Sequence, residues 1–163
     1  MKQVDFITQK ILSFRDVSLR VIQWRVLGKK IAFTNGVFDI LHEGHIYSLS
    51  QAAKEADYLI VGVNADASVK RLKGENRPVN KQDSRALVLA SLLIVDAVVL
   101  FEEDTPLKLI NLVMPDVLIK GGDYSVEQVV GAKEVIANGG RVVINPILKG
   151  FSTTDIINEI RKR

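Results

Sequence analysis

Ile31 to His45 reads IAFTNGVFDILHEGH, and how this stretch is read decides the fold. Its apolar beginning carries β-branched and aromatic residues, as a strand does, and runs into Thr34-Asn35-Gly36. A short turn follows, then His42-Glu43-Gly44-His45, then Ile46, Leu49, Ala53 and Ala56 at helical spacing. Strand, glycine turn and helix start therefore come in order, with two imidazoles delivered to the helix start. The first N–H groups of a helix lack internal partners, and the helix dipole favours anions there. The arrangement suits a chain of phosphates.

Working outward, four more apolar runs read as strands: Tyr58 to Val63 (YLIVGV), Ala97 to Phe101 (AVVLF), Val117 to Ile119 and Val142 to Ile144. Continuous apolar runs fit strands buried on both faces, as in a parallel sheet. Helical patterns separate them. Asn64-Ala65-Asp66 begins one, Ala86 to Leu93 forms another, and Thr105-Pro106 supplies an N-cap and a proline at the first helical position of a third. A fourth spans Gly131 to Asn138 and stops at Gly139-Gly140, and Ser152-Thr153-Thr154-Asp155 opens the last. Upstream, residues 3–27 look helical in two pieces. Val4, Ile7 and Ile11 share one face, and Val17, Val21 and Trp24 share another. Ser13 and Asp16 form a capping box between them, and Gly28 is the stop. The expected fold is α/β: a Rossmann-like, doubly wound, five-stranded parallel sheet over residues 29–163, with an N-terminal helical extension over residues 1–28. The extension reads as an apolar cover or as a dimer contact.

The chain has 163 residues, 47% hydrophobic and 25% charged, which is enough for one domain with a real core. A net charge of +3 does not require a nucleic-acid partner; a phosphate-rich small molecule accounts for it equally well. The absence of cysteine excludes disulfides, thiolate catalysis and cysteine-held metal. The opening MKQVDFITQK is too polar for a signal peptide, and no run is long enough to span a membrane, so a cytoplasmic protein is expected.

The only two histidines fall together, His42 and His45. Histidine is the side chain most readily tuned as donor or acid near neutral pH. His-Glu-Gly-His lacks the spacing of His-Glu-x-x-His, so the pair does not suit zinc. Neither a G-x-G-x-x-G nor a Walker glycine pattern follows the first strand. Residues 70–85, KRLKGENRPVNKQDSR, read either as a solvated loop or as a basic flap closing over phosphates from a strand's carboxyl end. Gly150-Phe151-Ser152-Thr153-Thr154 offers more hydroxyls than a cap needs, and the surplus suits terminal phosphates.

Together, TNGVFDILHEGH, the N-x-D at Asn64, KGGDY and GFSTTDII resemble the HxGH nucleotidyltransferase superfamily. Within it they are similar to the heptose 1-phosphate adenylyltransferases, supported by VNADASVKRLKGENRPVN, FEEDTP and PDVLIKGGDY. In many bacteria the resembling domain follows a sugar kinase, and a chain of this length looks like the stand-alone form. The resemblance implies adenylyl transfer from ATP to D-glycero-β-D-manno-heptose 1-phosphate, with Mg²⁺ bridging the phosphates, and a possible homodimer. It implies catalytic roles for His42, His45 and Lys73. It implies nucleotide contacts from Thr34, Asn35, Gly36, Phe38, Gly44, Asn64, Arg71, Lys120, Gly121, Asp123, Gly150, Ser152, Thr153 and Thr154. Asp39 and Arg85 are expected at the sugar phosphate, Asp39 with turn orientation as its other reading. A CTP-dependent transferase acting on a polyol or amino-alcohol phosphate is the alternative.

Overall fold

The first apolar run becomes the centre of the sheet. In the computed structural model, which describes residues 5–146 together with Thr153, Ile157, Ile160 and Lys162, strand β1 (Ile31–Gly36) is paired on both sides. It runs parallel to β2 (Tyr58–Asn64), with Ile31 opposite Tyr58 and Gly36 opposite Val63, and parallel to β4 (Val117–Gly121). Strands β3 (Ala97–Phe101) and β5 (Arg141–Asn145) complete the order β3-β2-β1-β4-β5, all parallel. The chain leaves β1 toward one edge and later returns to build the other. The sheet therefore has a topological switch point between β1 and β4, the place where open α/β sheets form a ligand crevice outside the carboxyl ends.

Helices cover both faces: α2 (Phe14–Val26), α6 (Leu107–Val113) and α7 (Ala132–Ala137) on one, α3 (Glu43–Ala53) and α5 (Gln82–Ala90) on the other. Alternation along the strands divides the core accordingly. Phe33, Ile60 and Leu118 meet Val17, Val21, Trp24 and Leu109, whereas Ala32, Val61 and Ile119 meet Leu49, Ala86 and Leu89. Helix α2 thus contributes to the main core, and Trp24 stacks on Tyr58 with ring centroids 4.1 Å apart. At the amino edge three aspartates preceding strands accept N–H groups from the adjacent strand or its lead-in. Asp57 takes Lys30 N–H, Asp116 takes Ile31 N–H and Asp96 takes Leu59 N–H, at 2.8–2.9 Å. That edge is closed by its own hydrogen bonds, so the open carboxyl edge is the one left for ligands.

Several expectations are corrected. Ile11 does not continue a helix from Ile7. Helix α1 spans only Asp5–Thr8, and Ile11 bridges to Val98, with Leu12 N–H on Val98 O and Val98 N–H on Lys10 O. Pairing there covers the otherwise bare β3 edge, and an edge strand's unpaired groups outweigh local helical pattern. Ser13 caps α2 by accepting from Asp16 N–H, but the Asp16 carboxylate accepts from the Ser13 hydroxyl, so the box is not closed through the backbone. The polar stretch 70–85 is not one loop. Residues 70–73 finish α4 (Asp66–Lys73) and 82–85 begin α5, leaving 74–81 between them. Helix α5 ends at Ala90, and Leu93, expected to be its last residue, lies beyond it and is 94% exposed. Pro106 is the N-cap of α6 rather than its first residue. A short 3₁₀ turn at Val126–Gln128, closed by a Ser125–Gln128 capping box, was not expected. The helix start at Ser152, with Gly150 and Thr154, lies outside the described residues. Among the described residues no helix is long and apolar enough to cross a membrane.

Trp24→Ala removes a buried indole and its stacking partner and is expected to lower stability by about 3–5 kcal/mol. Urea unfolding followed by circular dichroism measures this. A loss below about 1 kcal/mol would mean that α2 is an appendage rather than part of the core.

Candidate active site

The β1–α3 connection is held in an unusual shape, and that shape sets the histidines. Phe38 has φ +49°, in the left-handed region that a bulky side chain seldom occupies. Its ring lies over Gly36, where a Cβ would approach within 3.0 Å, and sits 5.3 Å from the His45 ring. Gly36 is therefore needed for packing against Phe38. His42 is the N-cap residue of α3 and His45 lies one turn in, with its N–H on the His42 carbonyl. The two imidazoles stack with centroids 3.8 Å apart, and Gly44 sits between them in the first turn.

Both imidazoles are held below the ordinary histidine value. For His42 the cause is burial. For His45 burial and then the charge of His42 bring it down to about 4. His45 is therefore neutral near pH 7, with one N–H to donate. Its Nδ1 is buried without a hydrogen-bond partner among the described residues. A buried polar atom left open at a helix start is prepared for a ligand. The pair can donate hydrogen bonds to an anion, and an arriving negative charge would raise both pKa values.

Lysines approach from two elements. Lys73 ends α4, and Lys120 lies on β4 next to β1. Burial and then the charge of Lys73 lower the Lys120 ammonium. Neither forms an ion pair among the described residues, although Lys120 lies 5.4 Å from the Tyr124 ring. Two like charges facing one region without a counter-ion favour anion binding. Arg71, the rival to Lys73, is engaged by Asp104 and the Glu102 carbonyl on the β3–α6 connection. Thr153 reaches this region as well, its hydroxyl donating to the Ile40 carbonyl at 3.4 Å.

Thr34, Asn35 and Gly36 lie at the carboxyl end of β1, with Thr34 buried. Asn64, at the end of β2, is buried and donates to Ser68. Gly121 ends β4 close to α3; a Cβ there would stand 3.3 Å from Ser48 Oγ. Asp123 follows on an exposed turn. Asp39 and Arg85 are engaged by protein groups. Asp39 accepts Arg77 Nε at 2.7 Å and the N–H groups of Val79 and Asn80 at 2.8 Å. Burial would raise its carboxyl, but the Asn80, Val79 and Arg77 hydrogen bonds together hold it below the usual aspartate value. Arg85 is 2% exposed and bonded to four acceptors. The roles of Arg77 and Asn80 went unread, as did Asn145 at the end of β5, which donates to Ser48 O and accepts from Gly122 N–H. The last had a signal in sequence, an asparagine before Pro146 at a strand exit.

A family profile described as cytidylyltransferase-like matches residues 33–159. The chain is 56% identical over 142 residues to the bifunctional protein HldE of Nitrobacter winogradskyi and 56% identical over 144 residues to that of Caulobacter vibrioides. Those matches take in 87% and 88% of this chain but 29% and 30% of the relatives, so the chain spans about three tenths of their length. Among solved structures, the lipopolysaccharide core biosynthesis protein of Thermoplasma volcanium aligns with a TM-score of 0.60 at 32% identity, over 76% of this chain and all of that one. The pantoate-beta-alanine ligase of Francisella tularensis aligns with a TM-score of 0.61 over 94% of this chain and 78% of that one, and at 19% identity it shares the fold alone.

The histidine pair has a consequence for stability. Because His45 has a folded pKa of about 4 against 6.5 for a free imidazole, the unfolded chain binds the proton more readily between those values. Stability is full above about pH 6.5 and falls as the pH drops toward 4. His45→Gln removes this contribution, so its urea midpoint is expected to fall less steeply than the wild type's over that window. Parallel curves would show that the imidazole is not held neutral by burial.

Proposed function

The chain belongs to the cytidylyltransferase-like family, and from that premise we propose that it transfers an adenylyl group from ATP to D-glycero-β-D-manno-heptose 1-phosphate. The products are ADP-heptose, for lipopolysaccharide core or related surface glycans, and pyrophosphate. The observation that carries this reading is the pair of stacked, neutral imidazoles at the start of α3. The identity with HldE and the likeness to a lipopolysaccharide core biosynthesis protein support the acceptor.

The chemistry asks little of the protein's own nucleophiles. The acceptor's phosphate oxygen is already an anion at neutral pH. It attacks the α-phosphorus of ATP, the bond from that phosphorus to the oxygen bridging toward β breaks, and the electron pair departs with pyrophosphate. The protein must align the two phosphates and stabilise charge as it moves to the leaving group. His42 and His45 donate hydrogen bonds to the α- and β-phosphate region. Lys73 from α4 and Lys120 from β4 add positive charge, and Thr153, with Ser152 and Thr154, holds the departing end. Thr34 to Gly36, Phe38 and Gly44 shape the nucleotide cradle; Asn64, Lys120, Gly121 and Asp123 lie toward ribose and base. Among the described residues no three acidic or imidazole side chains converge on one point as a metal cage. Mg²⁺, the ion expected with ATP, would be held through the nucleotide's own phosphates and would neutralise part of their charge. An ATP substrate also favours a cytoplasmic location.

The family description itself favours a second reading, CTP with a polyol or amino-alcohol phosphate. Pyrophosphate release measured with ATP or CTP against heptose, glycerol and ethanolamine phosphates separates the two. Turnover is expected only with ATP and the heptose phosphate, and turnover confined to CTP would overturn the adenylyl reading. His45→Ala is expected to lower kcat by about 10²-fold or more, the scale of losing one transition-state donor. A folded variant with near-normal turnover would remove the histidine from the mechanism.

A further inference from the structure

Among the described residues Arg85 is the largest fully buried side chain, and the proposed chemistry does not use it. A guanidinium so enclosed must be satisfied by protein groups. Its Nε donates to the Asn80 carbonyl at 3.0 Å and Nη1 to the Val37 carbonyl at 2.6 Å. Nη2 donates to the Asn64 carbonyl and to the Asp66 carboxylate, both at 2.8 Å. Those four bonds use four of the five N–H groups, and with the side chain 1% exposed little of it is left for a substrate.

The acceptors belong to three separate stretches of the chain. Val37 opens the loop that ends at His42 and leads into α3, where His45 lies. Asn64 ends β2, and Asp66 begins α4, the helix that ends at Lys73. Asn80 closes the connection from α4 to α5. Val37 also directly precedes Phe38, whose left-handed backbone and ring contact with His45 set the imidazole. Asp39, on the other side of Phe38, is pinned to Arg77, Val79 and Asn80. The strained residue is thus gripped on both sides, once by Arg85 and once by a carboxylate tied to a segment that Arg85 also holds.

We propose that Arg85 is a positioning residue: its guanidinium fixes the histidine-bearing loop against the start of the Lys73 helix and does not itself touch substrate. The proposal rests on reading His42, His45 and Lys73 as the groups that handle phosphate. It requires arginine rather than any cation, because a planar fork serves four acceptors in different directions and a lysine ammonium does not.

The test is Arg85→Lys, which keeps the charge and loses the fork. Turnover of ATP with heptose 1-phosphate is expected to fall about 10- to 10²-fold in kcat, the scale of an ångström of misplacement, while KM for the sugar phosphate stays within about threefold. The proton NMR titration of His45 is expected to move from about 4 toward 6.5 as its enclosure loosens. A tenfold rise in KM for the sugar phosphate with kcat preserved would make Arg85 a substrate ligand and overturn the proposal. So would kinetics and titration that both match the wild type. If the wild type does not turn over heptose phosphate, the functional reading fails, and the His45 titration still decides the role of Arg85. If Arg85→Lys does not fold, Asp66→Ala removes one acceptor and leaves the arginine in place. The same upward shift of His45, smaller in size, is expected there, and an unmoved titration overturns the proposal.

Discussion

The position of β1 constrains everything else. It is hydrogen-bonded on both sides, to β2 and β4, and buried on both faces, so it has no freedom to shift. At its amino end the aspartates of the neighbouring connections take up the leading N–H groups. At its carboxyl end the chain turns away from the switch point, and no neighbouring strand continues over the gap. The crevice is therefore a consequence of connectivity, and any residue placed just after β1 is delivered to it.

What the crevice receives is a balance of charge that is complete below and incomplete above. Arg85, beneath the loop, is surrounded by three carbonyls and a carboxylate and is electrostatically satisfied. Lys73 and Lys120 face the opening without a carboxylate partner among the described residues, and burial together with the charge of Lys73 lowers the Lys120 ammonium. His42 and His45 respond to the same surroundings by remaining neutral. On the proposed reading, a polyanion entering there would meet the two ammonium groups and the imidazole N–H groups together.

Much of this was legible in the residues. The five strands follow from apolar runs of the right length, and Val17, Val21 and Trp24 turned out to be one buried face because helical spacing put them there. The histidines were conspicuous because there are only two. The polar stretch between Lys70 and Arg85 was misjudged because charged residues on the exposed turns of α4 and α5 look the same as charged residues in a loop. Ile11 was misjudged because its partner, Val98, is distant in sequence.

Sequence by itself determined the class of fold, the five strands and the placing of both histidines at a helix start, since these depend on local pattern and on which residue types occur. Only the tertiary structure decided which cations are available. Arg85, Arg71 and Lys73 are indistinguishable as basic residues in one polar stretch. One is enclosed by carbonyls from several segments, one is paired with Asp104, and one is left facing Lys120. That difference arises from acceptors brought together across the fold, and a charge does not reveal its partners until the chain has closed around it.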